Sequence, residues 1–263
     1  MSWRRIRTVV RRHLSVMWRS PHRFFDVSVW PLLDVLLWGT LGTFVASVSS
    51  KSKASVAYLL AGVCMFHVLY QMQIALATGF MEESTWSRNL LNVLTTPVTE
   101  AEYLAGIGLL GLLKLCVSLL TLVVSAFVFF RFNLGGVGWG LVPVAGVLLV
   151  CGWAIGFFVI GLILRYGASA EVLAWGIQFV LMALSGVFNP VTSIPAALRP
   201  IARVLPTTHA FAALRTVVAG DPLPWHDILV GTIGAFVCAA AAAFYALRML
   251  KVFRERGFVT RFS

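Results

Sequence analysis

The sequence predicts an all-α polytopic membrane protein, and three features support that fold class. The chain is 59% hydrophobic and only 12% charged, and its mean hydropathy is +0.89. A soluble domain of 263 residues would not hide that much apolar surface. The apolar runs are about 20 residues long, the length at which a helix crosses a bilayer. We therefore expect one transmembrane domain over residues 1–263 with six membrane-spanning helices.

Residues 3–19 are predicted to form an amphipathic helix at the membrane surface, within an interfacial segment 1–23. Its apolar stripe has three- and four-residue spacing and consists of Trp3, Ile6, Val10, Leu14 and Met17. Arginines cover the other faces and would meet anionic headgroups. A cleaved signal peptide is the alternative, but the apolar run that follows is too long and has no clear cleavage site. Ser20-Pro21 then turns the chain.

Six apolar spans are predicted after this helix. They cover residues 24–48, 55–80, 103–130, 141–164, 171–188 and 228–249. Gly152 and Gly156 of the fourth span have the spacing of a close helix contact. The four cysteines lie inside apolar runs, which predicts core residues with neither disulfide nor metal spacing.

The basic residues predict the orientation in the membrane. The net charge is +11, and the basic residues crowd at the two chain ends beside apolar spans, which favours contact with lipids over nucleic acid. With both termini in the cytoplasm, 14 lysines and arginines lie inside and six outside, and Lys114 lies within a span. We therefore expect cytoplasmic termini and a membrane-lipid environment.

The segment 186–224 is too apolar for a solvated loop and too rich in proline for a straight helix. Pro190, Pro195, Pro200 and Pro206 each remove a backbone donor and disfavour helix at the preceding residue. Broken backbone survives in a bilayer only where protein buries it or where it lines a wet cavity. Two interpretations remain: a re-entrant element of a transport path, or an interfacial hairpin that seals the ends of two helices.

The most polar internal segment, 81–102, is predicted to contain a short amphipathic helix on the cytoplasmic side. Trp86, Leu90, Val93 and Leu94 share one face, Glu82 and Glu83 lie off it, and Pro97 ends the helix. Such a helix either docks into a groove of a partner protein or floats at the interface. Its acidic residues disfavour contact with the anionic inner leaflet.

Four polar residues inside the spans are candidates for function: Asp34, His67, Gln71 and Lys114. Asp34 and Lys114 could pair across two helices, which would be a structural role. His67 and Gln71 are one helical turn apart, so that they either contact a polar substrate or bond neighbouring helices.

The chain contains neither G-x-x-x-x-G-K-[ST] nor H-E-x-x-H, which excludes a P-loop and this zinc motif. Another subunit or an ion gradient must therefore supply any energy. One rival is a stand-alone secondary transporter or channel that uses Asp34, His67 or Lys114 as an ion relay. The sequence shows no internal repeat of the kind that many such carriers have. An intramembrane enzyme would need a cluster of acid, base or metal ligands, which the sequence does not show.

The order of these elements resembles the ABC-2 family of ATP-binding-cassette transporter permeases over nearly the whole chain. Two motifs support the resemblance: Glu82-Glu83…Trp86…Leu90-Leu91…Pro97-Val98…Glu102, and Gly186-Val187-Phe188-Asn189-Pro190…Pro195…Leu205-Pro206…Phe211…Leu214-Arg215. Asn189 is a departure, because an apolar or aromatic residue is common at that position.

The resemblance implies a role for each segment. The internal loop would be the coupling helix that contacts a separate ATPase, through Glu82, Glu83, Trp86, Leu90, Leu91 and Pro97. The broken segment would be the outer gate, with Phe188, Asn189, Pro190, Pro195 and Pro206. Spans one, two and five would line the path, where Asp34, His67, Gln71 and Lys114 are candidates.

The resemblance also implies the partners. Two permease copies, identical or paralogous, would work with two P-loop ATPases, which bind ATP and Mg²⁺. This chain would hold no cofactor of its own. Such exporters move lipids, polysaccharides, drugs or peptides outward across a prokaryotic plasma membrane.

Overall fold

The computed structural model of the protein describes residues 1–19, 22–48, 53–87, 89–188 and 190–256. These ranges contain ten α-helices and no strand, so the predicted all-α class is confirmed. The predicted turn at Ser20-Pro21, the gate residue Asn189 and the end of the basic tail lie outside the described residues.

The helices match the predicted elements closely in most places. They are α1 (Trp3–Trp18), α2 (His22–Val48), α3 (Lys53–Met81), α4 (Leu90–Leu94), α5 (Glu100–Phe130), α6 (Leu141–Tyr166), α7 (Glu171–Leu184), α8 (Arg199–Val204), α9 (Pro206–Val218) and α10 (Trp225–Arg256). A π-helix, Glu82–Trp86, continues α3, and four short 3₁₀ turns are Leu134–Val137, Ala168–Ala170, Val191–Ser193 and Ala196–Leu198.

Among the described residues, five helices are long and apolar enough to cross a membrane: α2, α3, α5, α6 and α10. The helix at the predicted fifth span, α7, has only 14 residues. At about 1.5 Å per residue it covers about 21 Å, less than the roughly 30 Å of a hydrocarbon core. It ends early because Gly186 has a φ of 72°, a left-handed conformation that terminates helices. The 171–188 helix is therefore shorter than predicted.

Helix α3 is the centre of the bundle and packs against α2, α5 and α6. Within its apolar window 83% of residues are buried, compared with 28% in α2 and 22% in α10. Helices α2 and α10 therefore present broad apolar faces to the surroundings of the chain.

The contact between α3 and α6 depends on two glycines. A Cβ atom on Gly152 would lie 2.7 Å from Met72 Cβ and 2.8 Å from the backbone oxygen of Leu69. A Cβ atom on Gly156 would lie 2.8 Å from Leu76 Cβ. The close contact predicted at these glycines is therefore present.

The bundle has two distinct ends. At the α1 end lie α1, the π-helix, α4, the start of α5 and the last turns of α10, where Arg254 Nη1 is 3.0 Å from Glu100 Oε1. At the α9 end, α9 packs beside the first turns of α6 and α10. His209 of α9 lies 2.9 Å from Asp227 in the first turn of α10, and Gly234, farther along α10, faces Pro206 at the start of α9, so α9 runs antiparallel to α10.

Candidate functional site

Helix α1 packs directly on α5 at a glycine. A Cβ atom on Gly106 would lie 2.7 Å from Val9 Cγ1, so the two helices approach closely. The buried residues of α1 are Ile6, Val9, Val10 and His13. Trp3, predicted on the apolar stripe, is exposed, and Leu14 and Met17 are half-buried. The buried stripe is rotated from the predicted one because α1 packs against protein and not only against a lipid surface.

Glu102 joins the start of α1 to the start of α5. Its carboxylate accepts hydrogen bonds from the backbone N–H groups of Ser2 at 2.6 Å and Thr99 at 3.0 Å. Arg5 Nη1 lies 3.4 Å away. The Thr99 hydroxyl accepts in return from the Glu102 N–H at 3.3 Å, which completes a capping box at the N-terminus of α5.

Glu83 joins α1 to the π-helix. Its Oε1 atom lies 3.3 Å from Arg12 Nη1 and 3.2 Å from His13 Nε2. Glu82 Oε2 is 3.9 Å from His13 Nδ1. Glu83 and His13 are both buried, so the polar side chain of each is compensated by the other. The carboxylates of this segment therefore attach it firmly to α1.

The predicted amphipathic helix of segment 81–102 is two pieces, the π-helix and α4. In the π-helix the chain widens, and the N–H groups of Ser87 and Asn89 reach back to the carbonyls of Glu82 and Glu83. This change of register separates Trp86 from the buried face that Leu90 begins. The π-helix is a rare element that is common at functional sites.

The six residues predicted to couple to an ATPase fall into two groups. Trp86 and Leu91 are 60% and 40% exposed, and Pro97 is exposed as well. Glu83 and Leu90 are buried, and Glu82 is largely buried. The first group is accessible at the surface of the chain, and the second holds the segment in place. The coupling role itself remains a prediction.

A groove in the membrane-spanning part lies between α2, α3 and α7 and holds about 280 Å³. Trp30, Asp34 and Trp38 of α2 line one side. Residues of α3 and α7, including Tyr70 and Trp175 with ring centroids 5.9 Å apart, line the others. These are the three helices predicted to border a path.

Asp34 meets His67 in this groove. Asp34 Oδ2 lies 3.3 Å from His67 Nδ1, and His67 Nε2 lies 2.6 Å from the Ser118 hydroxyl of α5. The side chain of Asp34 is 36% exposed, whereas that of His67 is 1% exposed. The carboxylate therefore lies at the groove surface, and the imidazole lies behind it.

The other two candidates for the path occupy different positions. Gln71 is buried on α3, and Lys114 is half-buried on α5. Neither lines the groove. Asp34 contacts His67 in the structure, and the pairing of Asp34 with Lys114 remains a prediction.

The segment between α7 and α9 is held mainly through backbone carbonyls. The Tyr58 hydroxyl donates to the carbonyl of Val187 at 2.8 Å, and Arg215 Nη2 donates to the carbonyl of Gly186. The hydroxyls of Ser185 and Thr207 lie 2.5 Å apart, which joins the end of α7 to α9.

The predicted gate residues that the structure describes lie in this segment or at the first position of α9. Phe188 stacks on Trp38 with ring centroids 4.4 Å apart. Pro190 and Pro195 precede the two 3₁₀ turns, and Pro206 begins α9. A second cavity of about 330 Å³ is bordered by residues within 182–188 and 193–198. The choice between a re-entrant gate and a sealing hairpin remains a prediction.

Sequence reasoning missed several residues of these sites. The pattern Thr99-x-x-Glu102 is a capping-box signature and could have marked the start of α5. His13 follows Ile6, Val9 and Val10 at helical spacing, which could have placed it on the buried stripe. No group of His, Cys, Asp or Glu suited to hold a metal occurs in the described parts of the chain.

Comparison with known proteins agrees with the architecture. A sequence model described as ABC-2 type transporter matches residues 4–218, from α1 to the end of α9. A search of curated proteins returns no match. Permeases of the matched family are membrane subunits of transporters and typically work with an ATPase partner. The match includes both the α1 end and the groove, so the chain belongs to the ABC-2 type transporter family.

Proposed function

We propose that this chain is the membrane subunit of an exporter that moves a lipid, polysaccharide, drug or peptide outward across a prokaryotic plasma membrane. Two P-loop ATPase subunits bind ATP and Mg²⁺ and supply the energy, and a second permease chain, identical or paralogous, completes the path. Both termini are cytoplasmic, so the α1 end faces the ATPases. The observation that carries the proposal is an exposed apolar surface at this end, on a segment that Glu83 and Glu102 attach to α1 and α5.

The proposed ATPase-contact surface consists of Trp86, Leu91 and Pro97. All three residues are exposed. Trp86 is the last residue of one apolar span, and Leu91 and Pro97 lie between that span and the next, so their exposure is not that of a lipid-facing span. Exposed aromatic and aliphatic side chains beside polar groups are typical of protein contact sites. Asn89 and Asn92 line a groove in the same segment, and polar side chains of this kind are typical of the rim of a protein interface.

The base under this surface supports transmission of movement into the membrane. Glu83 ties the π-helix to α1, and Glu102 ties α1 to α5. Leu90 and Leu94 pack in the same apolar cluster as Tyr103 of α5. A pull on the ATPase-contact surface would therefore displace α1, α3 and α5 together instead of bending a loop.

The groove supports a substrate path along α2, α3 and α7. A partly exposed carboxylate in a membrane-spanning helix is costly against lipid and is found facing water or another polar partner. Asp34 has this exposure on the helix face that also carries Trp30 and Trp38. We infer that this face turns toward the second permease chain and that the two chains enclose the path.

The outer gate would open by rearrangement of the segment between α7 and α9. Phe188 stacks on Trp38 of α2, and the carbonyl of Val187 accepts a hydrogen bond from the Tyr58 hydroxyl of α3. Movement of α2 relative to α3 would therefore strain both contacts at once. Pro190, Pro195 and Pro206 keep the backbone from closing into one continuous helix.

The test is co-purification from native membranes in mild detergent. The tagged chain should retain a P-loop ATPase, identified by mass spectrometry, with ATP hydrolysis. The double variant Trp86→Asp with Leu91→Asp should lose it. The matched control is Trp139→Asp, which changes an exposed tryptophan at the other end of the bundle. An unaltered ATPase yield in the double variant would contradict this contact surface.

A stand-alone ion-coupled carrier is the second candidate. The observation that favours it is the series of side-chain contacts from Asp34 to His67 and from His67 to Ser118. Such a carrier would move solute in proteoliposomes under a proton gradient without an ATPase. Asp34→Asn should abolish that flux, whereas exposed Asp221→Asn should not. Absence of gradient-driven flux in the wild-type chain would remove this candidate.

A further inference from the structure

The groove between α2, α3 and α7 combines aromatic rings with very few charges. Asp34 and His67 are the ionisable acidic or basic side chains that line it among the described residues. The remaining lining is mainly aromatic and aliphatic. The formal charge that a ligand would meet there is therefore set by these two groups.

The α2 wall places a carboxylate between two indole rings. Trp30, Asp34 and Trp38 follow at four-residue spacing, so they share one helical face. Trp30 is 54% exposed and Asp34 is 36% exposed, so both are accessible from the groove. Trp38 is already stacked on Phe188, so it borders the groove but that face of its ring is not available to a ligand.

The imidazole of His67 supports the carboxylate from behind. It is buried, 3.3 Å from Asp34 and 2.6 Å from the Ser118 hydroxyl. These two contacts hold the ring between α2 and α5, away from the groove opening. A ligand entering the groove meets the Asp34 carboxylate first.

The opposite wall offers further aromatic surface. Trp175 and Phe179 of α7 are both exposed and one helical turn apart. Aromatic faces attract cations, and the attraction is greater where water is excluded. A carboxylate adds a Coulombic attraction that also strengthens as the dielectric falls. An anionic ligand would instead be repelled by Asp34.

We propose that the groove binds a lipophilic organic monocation, such as a quaternary phosphonium or ammonium ion, with its charged centre beside Asp34. Its apolar substituents lie against Trp30 and Trp175. The proposal rests on the proposed function of this groove as a substrate path, and it narrows the substrate class. A ligand of this class compensates the exposed carboxylate and matches the apolar walls at the same time.

The test uses two probes of nearly identical size and shape but opposite charge, tetraphenylphosphonium and tetraphenylborate. Each is measured in a separate sample by equilibrium dialysis against the full chain in nanodiscs, with empty nanodiscs subtracted. We expect saturable binding of the phosphonium and none of the borate. Saturable borate binding of equal affinity, or no saturable phosphonium binding, would overturn the proposal.

Variants assign the site. Asp34→Asn should weaken phosphonium binding by about tenfold or more, because the full charge is removed at low dielectric. Trp30→Ala should weaken it by several-fold, on the order of one cation–π contact. Asp34→Glu keeps the charge and should retain the preference for the cation. Trp139→Ala and Asp221→Asn are exposed controls away from the groove and should bind as wild type.

The result is independent of the ATPase. Binding is measured without nucleotide, and monodispersity of each variant is checked by size-exclusion chromatography. If Asp34→Asn is monodisperse and binds the phosphonium as wild type, the cation site is wrong even if an ATPase co-purifies. If the ATPase is absent but Asp34-dependent binding remains, the exporter proposal fails and the cation site stands.

Discussion

The two ends of the bundle are held together by different chemistry. At the α1 end, the buried carboxylates of Glu83 and Glu102 meet guanidinium and imidazole groups of α1 and the backbone N–H groups of Ser2 and Thr99. At the α9 end, the carbonyls of Gly186 and Val187 accept hydrogen bonds from Arg215 and Tyr58. The first end depends on charged acceptors, and the second depends on a broken backbone.

This difference bears on how each end can move. Separating a buried carboxylate from its cations leaves an uncompensated charge, which is costly enough that the joined helices move as a unit. A carbonyl in a proline-broken segment can exchange one donor for another, or for water, at a smaller cost. The α1 end is therefore suited to transmit a displacement, and the α9 end is suited to rearrange. Four predictions test this contrast.

The largest effect is expected for Glu83→Ala. It leaves buried His13 and partly exposed Arg12 without their carboxylate, a loss of about 3 kcal/mol, which is the low end for a broken buried pair because solvent screens Arg12. The midpoint of thermal unfolding in detergent should fall strongly, and ATPase co-purification should fall with it. Glu255→Ala changes an exposed carboxylate on α10 and is the control. Equal midpoints for the two variants would mean that the α1 end is not held by this cluster.

At the α9 end we expect a smaller cost for Arg215→Ala. The variant removes a charged donor to the Gly186 carbonyl and the guanidinium 5.1 Å from the Tyr58 ring centre, about 1.5–3 kcal/mol. ATP hydrolysis should persist, with transport uncoupled from it, because the α1 end is intact. Arg203→Ala, at an exposed arginine of α8, is the control. Loss of the ATPase from the complex would contradict separate roles for the two ends.

Gly152→Ala tests the helix contact that connects the two ends. The new methyl group would be forced against Met72 and the backbone oxygen of Leu69. Overpacking destabilises the fold, and the higher helix propensity of alanine offsets part of that cost, so we expect a net destabilisation of about 1–2 kcal/mol. Gly146→Ala lies on the same helix with open space around it and should be neutral or stabilising. Similar thermal midpoints for both variants would argue against close packing of α3 and α6.

The smallest effect is expected for Thr99→Ala, which removes the N-cap of α5 and costs about 1 kcal/mol. The Glu102 contacts to Ser2 and Arg5 remain, so ATPase association should be kept. Thr99→Ser retains the capping hydroxyl and should behave as wild type. A loss as large as that of Glu83→Ala would mean that the cap itself holds α1 in place.

Helix positions were predictable because long apolar runs leave the backbone no alternative in a bilayer. Residues 141–164 were predicted as a span and α6 covers Leu141–Tyr166. The end of α7 was placed too late, since composition continues apolar to Phe188 while Gly186 takes a left-handed conformation. Apolar composition predicts where a helix is tolerated, and a single backbone angle decides where it ends.

The candidate sites were only partly predictable. Asp34 and His67 were identified one by one as polar groups in apolar spans, but their contact joins α2 and α3 and has no sequence spacing to reveal it. The pairing of Asp34 with Lys114 had equal support from composition. Trp86 was predicted to share one helical face with Leu90 because a regular helical period was assumed, and the π-helix changes that period.

The sequence by itself determined the membrane class, the approximate positions of the spans and the polar residues worth testing, since these follow from local composition and the length of a bilayer. Only the tertiary structure decided which polar groups meet, which face of α1 is buried, and how Glu83 and Glu102 connect α1 to the bundle. Such contacts join residues far apart in the chain. Their partners are selected by packing in three dimensions, which no local pattern encodes.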